Sequence, residues 1–295
     1  MTSRSVTIIY LAAIIAILSP IVSLTPSNAG AEAPKPHQAF MAYWLGYVPG
    51  GAPLKATPAP VNIVALAFAV TSPGPDGDTI SLDFLTSQHP AEEIRAGVKQ
   101  LQARGVKVLL SINGRPDWEG HAGGWDNLDP EAFAANVKAI VVDQWGLDGV
   151  DLDNEARSVI PRENFVQVIK ALRRALGPDA LLTLPVFAGA KRDAYLLQVR
   201  EQISFVSTMA YWLRYEHQLI MFNLYAALVG PDKVAIGVAD AADPGENTKF
   251  EAVARLAAWD PEGAHKAGMM LWNLNQPASQ ETTAQWSAAI ADHLP

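Results

Sequence analysis

No cysteine occurs among the 295 residues, so disulfides and thiolate metal sites are both excluded. Charge is sparse and leans acidic: 18% of residues are charged, and 22 Lys and Arg stand against 30 Asp and Glu, a formal balance of −8. No Lys/Arg cluster breaks that background, which argues against binding a phosphate backbone and so against a nucleic-acid partner. The Gly-x-Gly-x-x-Gly fingerprint of dinucleotide-binding folds is missing after the first strand, as are a Gly-x-Ser-x-Gly elbow and a phosphate loop. The six histidines, His37, His89, His121, His217, His265 and His293, show no ligand spacing, and neither a cofactor nor a metal is implied.

What remains is 49% hydrophobic, enough for one large core. Residues 1–31 read as an export signal. Arg4 supplies the positive start, Val6 to Leu18 is apolar apart from Thr7, and Pro20 with the small residues Asn28-Ala29-Gly30-Ala31 suggests cleavage. The expected location is therefore secreted or periplasmic, with a membrane anchor only if Val6 to Leu24 stays in place. Residues 32–38 read as a linker and 39–295 as one domain.

From about residue 39, short apolar runs alternate with amphipathic helical stretches, the order expected of parallel strands with crossover helices. Eight runs qualify: Phe40 to Trp44, Asn62 to Val70, Val106 to Ile112, Gly149 to Asp153, Leu181 to Phe187, Phe205 to Tyr211, Val234 to Val238 and Ala267 to Leu274. Asp129-Pro130-Glu131 caps one helix, whose face Phe133, Val137, Ile140 and Val141 runs to Gly146. Another starts near Pro161, aligns Phe165, Val168, Ile169, Leu172 and Leu176, and stops at Gly177-Pro178. Between the first two strands, Pro49, Gly50, Gly51, Pro53, Pro58 and Pro60 leave little room for a helix. The pattern predicts an α/β fold, a single (β/α)8 TIM barrel with its first helix reduced; an open doubly wound sheet is the alternative.

The fourth run carries the chemistry. Residues two apart on a strand share a face, so Asp151, Asp153 and Glu155 point one way and Val150, Leu152 and Asn154 the other. With the apolar pair against helices, the acids face a barrel axis normally filled by Val, Ile and Leu. Converging buried carboxylates are costly unless paired, protonated or metal-bound, which points to function rather than to a solvated charge run.

Asp148-Gly149-Val150-Asp151-Leu152-Asp153-Asn154-Glu155 resembles the Asp-Gly-x-Asp-x-Asp-x-Glu signature of glycoside hydrolase family 18, the chitinases and endo-β-N-acetylglucosaminidases. Ser111-Ile112-Asn113-Gly114 is similar to the family's third-strand Ser-x-Gly-Gly element, Met209-Ala210-Tyr211 to its sixth strand, and Met270-Leu271-Trp272 to its eighth. The resemblance implies a retaining, substrate-assisted hydrolase that cuts β-1,4 linkages after N-acetylglucosamine, in chitin oligomers or N-glycan cores. Glu155 would be the general acid and base. Asp153 would orient the acetamido group, Asp151 would share a proton with Asp153, and Tyr211 would donate to the acetamido oxygen.

Trp272 would form the floor under the sugar. Tyr43, Trp44, Met209 and Trp212 complete the expected substrate contacts, with Trp118 and Trp125 as further stacking platforms. Ser111 and Asp148 read as supports near the site. Trp212 stands where chitinases of the family carry Asp and several relatives Asn, which brings N-glycan-type substrates level with chitin. A non-catalytic lectin on the same barrel and a metal-dependent hydrolase using the acidic cluster are the other readings.

Overall fold

The computed structural model describes residues 38–72, 74, 78–114, 124–155, 163–187, 189, 192–241 and 247–295. The expected export signal, Trp118, His37, His121 and the helix start at Pro161 lie outside those residues.

The described residues form nine strands: β1 (Ala39–Leu45), β2 (Ile63–Ser72), β3 (Thr79–Ser81), β4 (Lys107–Asn113), β5 (Gly149–Asp153), β6 (Leu181–Val186), β7 (Phe205–Thr208), β8 (Val234–Ala239) and β9 (Gly268–Trp272). All but β3 pair in parallel, in the order β1-β9-β8-β7-β6-β5-β4-β2, and a β1–β2 pairing closes the ring. The result is an eight-stranded parallel barrel with helices around it, a (β/α)8 TIM barrel. Strand β3 was not expected, because three residues carry no readable periodicity. It pairs antiparallel with Val70, Thr71 and Ser72, covering the edge where β2 outruns β1, whose last partner on β2 is Ala67.

Among the described residues, seven α-helices follow in chain order: α1 (Ala91–Ala103), α2 (Pro130–Lys138), α3 (Glu163–Leu176), α4 (Leu196–Val199), α5 (Tyr215–Val229), α6 (Phe250–Ala258) and α7 (Thr283–Ala291). Between β1 and β2 there is only a 3-10 turn at Leu54–Ala56, as the surrounding prolines dictate. Asp129 caps α2 by accepting from the backbone N–H groups of Glu131 and Ala132. The helix does not continue regularly to Gly146: residues Ala139–Gln144 widen into a π-helical turn, where the β-branched run Ile140-Val141-Val142 crowds a tighter winding.

Two apolar layers divide along the strands. In β1, Phe40, Ala42 and Trp44 join the layer between barrel and helices, while Met41, Tyr43 and Leu45 join the barrel interior with Ala65, Ala67, Leu109, Ala235, Ala239 and Met270. Barrel interiors are usually packed with Val, Ile and Leu; the alanines here leave space for larger polar side chains from β5.

Candidate active site

The pairing of β5 with its neighbours supplies the partners of its acids. Ser111 stands opposite Asp151 and Asn113 opposite Asp153 across β4, and Thr183 stands opposite Asp151 across β6. Asp151 is fully buried. Its Oδ2 accepts from Tyr43 Oη at 2.8 Å and Ser111 Oγ at 2.7 Å, and its Oδ1 from Thr183 Oγ1 at 2.6 Å. Asp153 Oδ2 accepts from Asn113 Nδ2 at 2.8 Å, whereas Asp153 Oδ1 is buried without a hydrogen-bond partner.

Burial pushes Asp151 up to about 6, even though the hydroxyls of Thr183, Ser111 and Tyr43 pull the other way. Asp153 is held well above the ordinary carboxylate range, first by burial and then by the charges of Glu155 and Asp151, against the pull of Asn113. Asp153 therefore holds its proton more tightly than an ordinary carboxylate and titrates jointly with the neighbouring acids. Tyr47 is pushed up to about 12, first by burial and then by Asp153 and Glu155.

Above the acids opens a cavity of about 640 Å³ at the C-terminal ends of the strands, where TIM barrels build their active sites. Asp153, Glu155, Tyr211, Trp272, Tyr43, Met209 and Trp212 all line it, so seven of the side chains named from the sequence come together. Trp272 meets Tyr43 edge-on at 5.2 Å and lies near-parallel to Phe68 at 5.8 Å. Tyr211 Oη lies 3.8 Å from Met270 Sδ, and Trp212, half exposed, stands edge-on to Tyr211 at the rim.

Several expectations need correction. Asp151 sits beneath the cavity rather than in its wall, where the hydroxyls of Tyr43, Ser111 and Thr183 donate to its carboxylate. Trp44 is 2% exposed on the outer face of β1. There it donates Nε1–H to Ala52 O at 2.9 Å and packs against His89, because its neighbour Tyr43 takes the inward position. Trp125 is likewise buried, against Phe133 and Phe165. Its ring covers Gly114, where an added Cβ would come within 1.9 Å of Nε1. Neither tryptophan lines the cavity.

Of the two supports, Ser111 bonds Asp151 directly, but Asp148 lies at the opposite end of β5. Asp148 accepts from Lys107 Nζ, Gln102 Nε2 and the Val108 backbone N–H. Although burial raises its pKa, those bonds hold it below the ordinary value. Sequence reasoning missed Phe68, Pro185, Phe187 and Arg192 in the cavity wall. Pro185 follows from the period of β6, two residues beyond Thr183; no sequence signal pointed to the others.

Among the described residues no group of three or more His, Cys, Asp or Glu is arranged to hold a metal, and no helix is long and apolar enough to cross a membrane. The family model for the endo-β-N-acetylglucosaminidase EndoS TIM-barrel domain matches residues 54–271. Exochitinase 1 of Streptomyces olivaceoviridis is 28% identical over 54% of this chain and 30% of its own length. An endo-β-N-acetylglucosaminidase of Flavobacterium sp. (strain SK1022) is 36% identical over 31% of this chain and 29% of its own length. The chain thus spans under a third of either relative. Among solved structures, an endo-β-N-acetylglucosaminidase from Cordyceps militaris superposes with a TM-score of 0.61 at 20% identity, covering 88% of this chain and 92% of that one. A mutant of the fungal protein is known in complex with fucosyl-N-acetylglucosamine-Asn. At such identity the structural likeness speaks for the fold.

Proposed function

We propose, from the premise that this chain belongs to the EndoS TIM-barrel family within glycoside hydrolase family 18, that it hydrolyses β-linked glycans after N-acetylglucosamine by substrate-assisted, retaining chemistry. The observation that carries this reading is the buried, partnerless Asp153 Oδ1 at a cavity it shares with Glu155. An unmet buried polar atom costs about 1–3 kcal/mol, and an acetamido N–H from the sugar would meet it.

In this reading the pyranose stacks on Trp272, and Asp153 turns the acetamido oxygen toward the anomeric carbon. Glu155 protonates the leaving oxygen while the acetamido oxygen attacks, then takes a proton from water as that water opens the cyclised intermediate. Asp153 accepts the acetamido N–H at Oδ1 and stabilises the positive charge that develops on the cyclised group. Asp151, fixed by three hydroxyls, acts as a stationary negative field beneath it. Tyr211 would steady the acetamido oxygen from the other wall. The substrate is an N-acetylglucosamine-containing glycan, either an N-glycan core or a chitin oligomer. Trp212 at the rim favours the former, since it offers a stacking face where chitinases present an acid. The first 31 residues would direct export and be removed.

The test is to incubate the chain and its Glu155→Gln variant with chitooligosaccharides and N-glycopeptides, reading products by mass. The variant should lose about 10²- to 10⁴-fold in rate while still binding substrate. Equal rates in both would remove Glu155 from its role. Glycan binding without cleavage by the unmodified chain would mark a lectin instead.

A further inference from the structure

A threonine just before a helix ordinarily spends its hydroxyl on the first N–H groups of that helix. Thr248 does not. The N-cap of α6 is Lys249, without a side-chain cap, and Thr248 is buried. Its Oγ1 donates to Tyr211 O at 3.2 Å and accepts from the Ala239 N–H at 3.1 Å. Its own N–H donates to Ala239 O at 3.0 Å. One residue thus joins the end of β8 to the segment that leaves β7.

Tyr211 lies beyond Thr208, where β7 ends, so strand pairing does not hold its backbone. A buried carbonyl left there without a donor would be costly, and Thr248 supplies one. Beside the tyrosine ring, β8 presents bare backbone: a Cβ on Gly237 would come within 3.0 Å of Tyr211 Cε1. The same strand end also holds Trp272, whose O accepts from the Asp240 N–H at 2.7 Å. In the ring β8 lies between β7 and β9, and Tyr211 and Trp272 both line the cavity. The end of β8 is therefore the common reference from which these two side chains are spaced.

We propose that Thr248 is a positioning residue, fixing Tyr211 relative to Trp272 so that the tyrosine hydroxyl holds the acetamido oxygen for its attack. The proposal rests on the hydrolase reading above. Thr248 touches no substrate in it and acts through Tyr211 alone. Misplacing a group that works in the transition state costs rate more than binding. Thr248→Val keeps the shape and loses the hydroxyl, so it should lower kcat by about 10- to 100-fold while KM moves by less than about threefold. Thr248→Ser, which restores the hydroxyl, should keep most of the rate.

A double-mutant cycle with Tyr211→Phe decides between positioning and mere support of the fold. Added to Tyr211→Phe, Thr248→Val should cost no more than about twofold further. A loss that persists in full beside Tyr211→Phe would overturn the proposal. So would an unchanged kcat in Thr248→Val or in Tyr211→Phe, or a loss in Thr248→Ser as large as that of the valine variant. Should Thr248→Val fail to fold, as judged by circular dichroism, Thr248→Ala takes its place in the cycle with the same criteria. If the parent cuts no glycan, the hydrolase reading fails by itself, and the cycle is read in the Kd of chitotriose against its deacetylated form. The preference for the acetylated trisaccharide should then fall in Thr248→Val and fall no further in the double variant. No such preference in the parent, or one that Thr248→Val leaves intact, would overturn the proposal.

Discussion

Replacing Asp151 with asparagine should change how stability depends on pH. The side chain is fully buried, and burial lifts its carboxyl from the ordinary 3.8 to about 6. For an acid raised in this way the native state holds its proton longer than the unfolded chain does. Stability is therefore undiminished below the unfolded pKa and falls as pH climbs through the interval to the native pKa. The gap of about two pH units corresponds to about 3 kcal/mol, at about 1.4 kcal/mol per tenfold. Asparagine keeps the size, and the hydroxyls of Tyr43, Ser111 and Thr183 can rotate to suit an amide.

Urea denaturation followed by tryptophan fluorescence at pH 4, 5, 6 and 7 should show the parent losing about 3 kcal/mol relative to Asp151→Asn across that range. The loss levels off above about pH 7. Asp153 contributes with the same sign in both proteins, so the difference reports Asp151 together with its repulsion of Asp153. Thr183→Val removes a donor that holds the Asp151 pKa down, and should carry the fall to higher pH. Parallel stability curves for parent and Asp151→Asn would refute the claim that ionised Asp151 is held at a cost.

Trp44→Ala should lower stability by about 3–5 kcal/mol, the range for emptying a buried tryptophan site, yet leave KM within experimental error; a raised KM would return Trp44 to the cavity. Asn113→Ala removes the donor that favours ionised Asp153, so the acid limb of the kcat profile should move to higher pH, and an unmoved limb would take Asp153 out of that titration. Expressed with its full N-terminus in a bacterium, the chain should be recovered outside the cytoplasm beginning near Glu32, as read by intact mass; recovery in the cytoplasm starting at Met1 or Thr2 would end the export proposal.

The acids of β5 were readable because Val150 and Leu152 mark one face by contrast with Asp151 and Asp153. Strand β1 offers no such contrast. Its residues are apolar on both sides, so nothing in the sequence said whether Tyr43 or Trp44 turned inward, and both were assigned to the sugar. Trp125 followed a glycine-rich stretch and read as loop surface, when it packs over Gly114. The partners of Asp151 depend on how β4, β5 and β6 are staggered, a relation between strands that no single run reveals. Arg192 lies in an irregular connection, which Tyr225 holds through Gly189 and Asp193 and no period describes.

The contacts of Asp148 have a consequence at the far end of the barrel. Its carboxylate takes the Val108 N–H at 2.9 Å while its own N–H goes to Val108 O at 2.8 Å, so one residue pegs β4 and β5 together from below. Sliding either strand by one position would swap the direction of each side chain above that peg, swinging Ser111 and Asn113 away from the acids they serve. A change at Asp148, some distance from any sugar, should thus misalign the reaction while leaving each reacting group in the chain.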